Sequence, residues 1–127
     1  MKCHVLAACL VGIAHAATHS QAFAQPEVPA QEIRSLMVAA IDATDGQARG
    51  VLAGPLANAL RARFNASGPI HIEVSTLKRY SQPGCSRLNV RFRQEGVRLS
   101  ASTAPRAQTV DFGINYCRDG SAPASTR

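Results

Sequence analysis

Two cysteines bracket the stretch that most constrains the fold of this chain. Between Cys85 and Cys117 lie two runs in which apolar and polar residues alternate. The apolar positions are Leu88, Val90 and Phe92 in the first run, and Val110, Phe112, Ile114 and Tyr116 in the second. Such alternation is typical of strands with one buried face. With one cysteine at the outer end of each run, it predicts an antiparallel strand pair closed by a Cys85–Cys117 disulfide.

The pattern also predicts the register of these two strands. Placing the cysteines opposite each other pairs apolar with apolar residues on one face: Leu88 with Ile114, Val90 with Phe112, and Phe92 with Val110. On the other face it pairs Arg87 with Asn115, and Arg91 with Asp111. A slip of one residue would set phenylalanine and valine opposite charged side chains, which a half-buried sheet disfavours.

The amino terminus has the pattern of a cleavable signal peptide. A short basic start at Lys2 is followed by a mostly apolar stretch at residues 5–17 and by the A-x-A pattern at residues 22–24. We therefore expect residues 1–24 to be removed after Ala24 and the protein to be periplasmic. A second A-x-A pattern at residues 14–16 and a lipoprotein-like box at residues 6–9 leave other processing sites open.

Removal of the signal peptide simplifies the cysteine chemistry. Of the four cysteines, Cys3 and Cys9 would leave and Cys85 and Cys117 would stay. Two cysteines in an exported chain predict one structural disulfide. Closing a loop of about 33 residues stabilises a fold by roughly 3.5–4 kcal/mol. No C-x-x-C spacing is present in the remaining chain to favour a redox-active pair.

Two helices are predicted before the strands. Residues 30–43 place apolar side chains on one stripe, at Ile33, Leu36, Met37, Ala40 and Ile41. The second helix is expected to start near Gly54, with Pro55 in its first turn, and to run to Asn65. Its expected buried stripe is Leu56, Ala59, Leu60 and Phe64. Residues 46–53 between the helices are interpreted as a connector or a weak first turn.

A first strand is predicted at residues 70–80, ahead of the cysteine-bracketed pair. Its facing residues would be Ile72 with Phe92 and Val74 with Val90, and Leu77 breaks the alternation and implies a bulge. The expected fold is α+β: two N-terminal helices packed on a three-stranded antiparallel sheet (ααβββ), with one disulfide between the second and third strands. Residues 25–29 would be an extended lead-in, 30–117 a single domain and 118–127 a disordered tail.

The search for catalytic chemistry is negative, so we expect no enzyme, no cofactor and no metal site. The processed chain keeps a single histidine, His71, and its two cysteines are expected to be bonded to each other. Glu73 and Asp111 could form a carboxylate pair, but Arg91 would lie between them and keep both ionised.

A basic excess marks the predicted sheet. After loss of Lys2, thirteen Lys and Arg stand against eight Asp and Glu. Lys78, Arg79, Arg87, Arg91 and Arg93 are the candidate partner-binding residues, since arginine suits bidentate contacts with carboxylates. Nucleic-acid binding is not expected, because aromatic residues are few and Phe92 and Phe112 are assigned to the core. No membrane contact is required, and the oligomeric state is open.

Two segments carry a family resemblance. GCSRLNVRF at residues 84–92 and DFGINYCRDG at residues 111–120 resemble small exported proteins of bacterial conjugation and type IV secretion gene clusters. The resemblance implies a periplasmic accessory role and carries over no catalytic residue.

Two functions follow as hypotheses. The first is a periplasmic, non-enzymatic adaptor that binds another protein of an envelope machine, such as a conjugation or type IV secretion apparatus, through the basic sheet face or a free strand edge. The alternative is a secreted inhibitor or immunity-type protein that blocks an enzyme with its linker at residues 94–108.

Overall fold

The structure is a computed structural model that describes residues 28–30, for the backbone alone, and residues 33–127. The elements in chain order are β1 (Val28–Ala30), α1 (Ile33–Asp42), β2 (Gln47–Leu52), α2 (Gly54–Arg63), β3 (Ile70–Arg79), β4 (Cys85–Val97) and β5 (Arg106–Cys117). The expected signal peptide and the beginning of the lead-in lie outside the described residues.

The strands form one five-stranded sheet in the order β1-β2-β3-β4-β5. Strands β2 to β5 are antiparallel neighbours, and the short β1 pairs with β2 in parallel. The predicted ααβββ fold with a three-stranded sheet is therefore wrong. The element order is βαβαβββ, because the lead-in contributes β1 and the supposed connector between the helices is β2.

Pairing with β1 and β3 stabilises the extended conformation of β2. Its sequence, QARGVL, contains alanine and glycine, which have low strand propensity, and it shows no clear alternation. In the structure it is hydrogen-bonded on both sides, with Gly50 opposite Val28 of β1 and opposite Ile72 of β3. Gly50 and Leu52 are buried. Tertiary pairing thus determines this strand, and sequence alternation does not reveal it.

Helix α1 packs on the sheet as the sequence predicts. Leu36, Met37, Ala40 and Ile41 are buried and Ile33 is partly buried. The helix contacts strands β1 to β4. At its carboxyl end, the Arg79 guanidinium donates to the carbonyl oxygens of Ile41 (2.6 Å) and Ala43 (2.7 Å). These bonds satisfy carbonyls that have no partner within the helix.

Helix α2 begins at Gly54 with Pro55 in its first turn, as predicted. It ends with Asn65 at a positive φ of 47°, where the Ala66 N–H donates to the Arg61 carbonyl, a Schellman ending. Its predicted buried stripe is wrong. Ala57 is fully buried and Leu60 is partly buried, but Leu56, Ala59 and Phe64 are exposed. The helix makes few contacts with any strand, so little of the predicted stripe is covered.

The predicted registers and the disulfide are confirmed. Leu88, Val90 and Phe92 face Ile114, Phe112 and Val110. Ile72 faces Phe92, Val74 faces Val90, and the register shifts between Thr76 and Lys78, around the predicted bulge at Leu77. Cys85 and Cys117 face each other and are bonded. In the turn before Cys85, the Cys85 N–H donates a hydrogen bond to the Gln82 carbonyl (3.2 Å), and Gly84 adopts a positive φ of 74°.

The core is smaller than predicted and includes only the C-terminal end of β5, where Tyr116 is buried. Ile72, Val74, Leu88 and Val90 are buried, whereas Phe92 and Ile114 are only partly buried. Val110 is 60% exposed and Phe112 is 42% exposed. The placement of these two residues in the core is therefore wrong, since the main contacts of α1 with the sheet are with β1 to β4.

The structure places the C-terminal segment, predicted to be a disordered tail, beside the β3–β4 turn. The Ser81 N–H donates to the Arg127 carbonyl (2.9 Å), and the Ala124 N–H donates to Gln82 Oε1 (2.8 Å). Closer to β5, the Arg118 guanidinium lies 2.9 Å from the Asp42 carboxylate at the end of α1.

Candidate functional site

The open face of the sheet carries a row of alternating charges. Arg49, Glu73, Arg91 and Asp111 face one another in register across β2, β3, β4 and β5. Arg49 Nε lies 3.6 Å from Glu73 Oε1, and Arg91 Nε lies 2.8 Å from Asp111 Oδ1. Arg91 also lies 4.0 Å from Glu73. The row has equal numbers of positive and negative groups, so this part of the face is locally neutral.

Two side-chain hydrogen bonds lower the pKa of Asp111, the acid at the outer end of the row. The Asn89 side-chain amide donates to Asp111 Oδ1 (3.0 Å), as does Arg91. The Asn89 bond first, and then the Arg91 bond and charge, hold the pKa of the Asp111 carboxyl below its ordinary value. Asp111 is therefore a fixed anion at neutral pH and is not suited to donate a proton.

The three predicted arginines of β4 share the open face, and each has a partner. Arg87 donates to Asn115 Oδ1 (3.2 Å), and its guanidinium lies against Gly113, where a Cβ would collide with it. Arg93 forms an ion pair with Glu95, two residues along the same strand. These partners reduce the free positive charge that the sequence predicts for this face.

The other two predicted binding residues take different positions. Lys78 lies opposite Arg87, donates to the Thr126 carbonyl (3.1 Å) and sits 5.5 Å from the centre of the Tyr80 ring. Arg79 lies opposite Ser86 and caps α1, as described above. The structure thus brings four of the five predicted residues to one face and assigns Arg79 to the helix side.

An apolar groove that the sequence analysis missed lies beyond the core. It has a volume of about 400 Å³ and opens between α2 and the far ends of β4 and β5. Its lining residues are Leu60, Phe64, Ile70, Phe92, Gln94, Val97, Leu99, Gln108, Val110 and Phe112. The sequence pattern did not reveal it, because Val110 and Phe112 alternate like core residues, while both helices are only ten residues long in the structure.

Two stacked phenylalanines form part of the groove wall. The rings of Phe92 and Phe112 lie with centroids 5.9 Å apart and planes inclined by 18°. The reason given in the sequence analysis against aromatic stacking, that both rings are in the core, is therefore wrong for Phe112. At the floor, buried Gln94 donates to the Gly68 carbonyl (3.1 Å) and ties β4 to the segment that follows α2.

Strand β5 is the edge of the sheet beside this groove. Among the described residues it pairs with β4 alone. It is twelve residues long and contains no proline. Native edge strands of this length commonly carry devices that block further pairing. Val110 and Phe112 on β5 are instead exposed apolar residues, which favour contact with another chain.

The groove is large enough to bind apolar side chains, but its lining contains no reactive group. Its polar members are the two glutamine amides, and no acid, base or nucleophile stands among the lining residues. Within residues 33–127 and the backbone of 28–30, no group of three or more metal-ligating side chains is found. In the same part of the chain, no helix is long and apolar enough to cross a membrane.

Comparison of the chain with known protein families, curated proteins and solved structures finds no match. The class of the protein therefore follows from the fold and the site. In the part of the chain that the structure describes, it is a disulfide-closed βαβαβββ domain with an open apolar groove beside an edge strand that pairs on one side only. A structural disulfide is compatible with an exported protein.

Proposed function

We propose that this protein is an exported, non-enzymatic adaptor that binds another protein of an envelope machine, such as a conjugation or type IV secretion apparatus. The observation that carries the proposal is the exposed apolar surface of β5 at the free edge of the sheet. The resemblance of residues 84–92 and 111–120 to exported proteins of secretion gene clusters supplies the class of partner.

The groove has the character of a protein-binding surface. Phe64, Leu99, Val110 and Phe112 are all exposed and all line it. Contiguous exposed apolar surface is uncommon on monomeric soluble proteins and marks interaction sites. The arginines of β4 are a weaker support for the proposal, because Arg91 and Arg93 are ion-paired and Arg87 is hydrogen-bonded within the chain.

The test is affinity capture from envelope extract, with crosslinking and mass spectrometry, using the protein expressed from its full chain. Two variants separate the surfaces. Phe112→Ser alters the groove, and the combined change of Arg87, Arg91 and Arg93 to alanine alters the open face. We expect capture of secretion or conjugation components that Phe112→Ser abolishes and the triple arginine change leaves largely intact.

Other results would change this assignment. Loss of capture with the triple arginine variant alone would move the contact to the open face of the sheet. Failure of the unaltered protein to capture any envelope component, in a repeat at low salt, would overturn the adaptor function.

The second candidate function is an inhibitor that inserts a loop into an enzyme. The structure shortens the predicted linker, since β4 continues to Val97 and β5 begins at Arg106. On the remaining loop, Leu99 is 59% exposed, and a turn follows it in which the Thr103 N–H donates to the Ser100 carbonyl (3.3 Å). Capture of a single hydrolase or toxin, lost with Leu99→Asp and retained with Ala101→Asp, would favour this function.

A further inference from the structure

We infer that β5 accepts an extended segment of the partner protein as a sixth strand, and that this segment combines alternating apolar side chains with acidic residues. The inference rests on the proposed adaptor function and specifies the chemistry of its partner. It follows from three features of the same edge: the direction of its backbone groups, the apolar side chains beside them, and three arginines that form no ion pair with any described residue.

The backbone geometry shows which groups of β5 are available. The Cys117 N–H donates to the Ser121 carbonyl (3.0 Å), away from β4, and the Cys85 carbonyl accepts from Tyr80 on the β3 side. Cys85 and Cys117 therefore face each other without exchanging backbone hydrogen bonds. Hydrogen-bonded and non-hydrogen-bonded residue pairs alternate along an antiparallel ladder, so every second residue of β5 directs its N–H and C=O away from β4. Within the regular part of the ladder these residues are Thr109, Asp111, Gly113 and Asn115.

The side chains that alternate with these residues lie on the groove side. Gln108, Val110 and Phe112 line the groove. A strand added at the edge would set its own alternate side chains directly beside Val110 and Phe112 and remove them from water. In a single register, an added strand would thus form hydrogen bonds with the backbone of β5 and bury the apolar side chains of the groove.

Three arginines are neighbours, in the sequence or in the strand register, of residues that line the groove. Arg63 precedes the groove residue Phe64, and Arg98 lies between the groove residues Val97 and Leu99. Arg106 lies opposite Val97 and, by the alternation of β5, shares the face of Gln108. All three are exposed and form no ion pair within the described part of the chain, while Glu95 nearby is paired with Arg93. This charge favours an acidic segment.

Other occupants match the site less well. An acyl chain would cover the groove but would offer nothing to the outward backbone groups. Bases of a single-stranded nucleic acid need free ring faces, and Phe92 and Phe112 stack on each other. A second copy pairing through β5 would bring one acid on that strand, Asp111, which is already bound by Arg91.

The probe is a short dye-labelled peptide of alternating valine and threonine with glutamates at both ends. Two comparison peptides carry lysines in place of the glutamates, or the same composition with the valines grouped together. Binding to the full chain is followed by fluorescence anisotropy and by amide hydrogen exchange. We expect the glutamate peptide to bind about tenfold more tightly than the lysine peptide. It should slow exchange at the Thr109, Asp111 and Gly113 amides.

Thr109→Pro tests the strand pairing directly. The Thr109 N–H points outward, so proline removes a donor for the added strand and leaves the bonds to β4 in place. We expect Thr109→Pro to weaken peptide binding about tenfold or more, since it removes a hydrogen bond and blocks close approach. Thr109→Ala, the matched control, should bind like the unaltered protein.

A second variant tests the charge preference without altering the backbone of β5. Exchanging Arg98 and Arg106 together for glutamate should reverse the preference, so that the lysine peptide binds more tightly than the glutamate peptide. Equal binding of both peptides by the unaltered protein, unchanged exchange at the outward amides, or preferential binding of anionic vesicles or oligothymidine would overturn the inference.

The same variants separate this inference from the proposed function. Capture of an envelope protein that is lost with Phe112→Ser but intact with Thr109→Pro would leave the adaptor function standing and reject strand addition. Loss of capture with both variants, and retention with Thr109→Ala, would support strand addition.

Discussion

Phe112 of β5 stacks on Phe92 of β4 with ring centroids 5.9 Å apart, although the residue opposite Phe112 in the register is Val90. The contact is therefore diagonal across the strand pair, a distance that aromatic side chains can span. It draws the Phe112 ring along the sheet toward the groove, where it remains 42% exposed. The groove wall thus includes a stacked ring that the core does not cover.

The first prediction separates this ring from the core. Phe112→Ala should lower the free energy of unfolding by about 1 kcal/mol, because it removes a partly solvated ring and one stacking contact. Leu88→Ala, at a fully buried position on the same sheet, should lower it by about 2–5 kcal/mol. Urea denaturation of both variants measures the difference. Equal losses would show that Phe112 belongs to the core.

The second prediction concerns the disulfide. Replacing Cys85 and Cys117 together by alanine should lower the free energy of unfolding by roughly 3.5–4 kcal/mol, since the unfolded chain regains the entropy of an open loop. Denaturation with and without reductant provides the control: reductant should destabilise the unaltered protein and leave the double variant unchanged. A double variant as stable as the oxidised protein would contradict a structural role for the bond.

The third prediction assigns Arg79 to stability rather than to binding. Arg79→Ala removes two charged hydrogen bonds from the end of α1 and should lower the free energy of unfolding by about 1.5–3 kcal/mol. The neighbouring change Lys78→Ala, at an exposed side chain, is the matched control and should have a small effect. Thermal or urea unfolding measures both. If the two variants lose the same stability, Arg79 does not cap the helix in solution.

The fourth prediction concerns pH. Because the folded-state pKa of Asp111 is lowered, its contribution to stability is present above the unfolded-state pKa and is lost as pH falls through the folded-state value. In an NMR titration, Asn89→Ala should move the pKa of the Asp111 carboxyl upward, since it deletes the largest cause of the shift. Ser75→Ala, beside Asn89 in the register, is the control. An unchanged pKa in Asn89→Ala would show that this amide does not bind the carboxylate.

The sequence by itself determined the parts of the fold in which side-chain pattern and local geometry agree. Alternation around Cys85 and Cys117 set the register of β4 and β5, Leu77 marked the bulge in β3, and the apolar stripe defined the buried face of α1. In each case the two-residue or 3.6-residue period permits one face to be buried, so the local pattern is sufficient.

Only the tertiary structure decided the edges of the sheet and the extent of the core. Strand β2 has no alternation of its own and is a strand because β1 and β3 pair with it on both sides. Val110 and Phe112 of β5 continue the apolar pattern of buried Tyr116, and they are exposed because the main contacts of α1 are with β1 to β4. Alternation shows which side chains share a face, but whether another layer covers that face depends on contacts between residues distant in the chain.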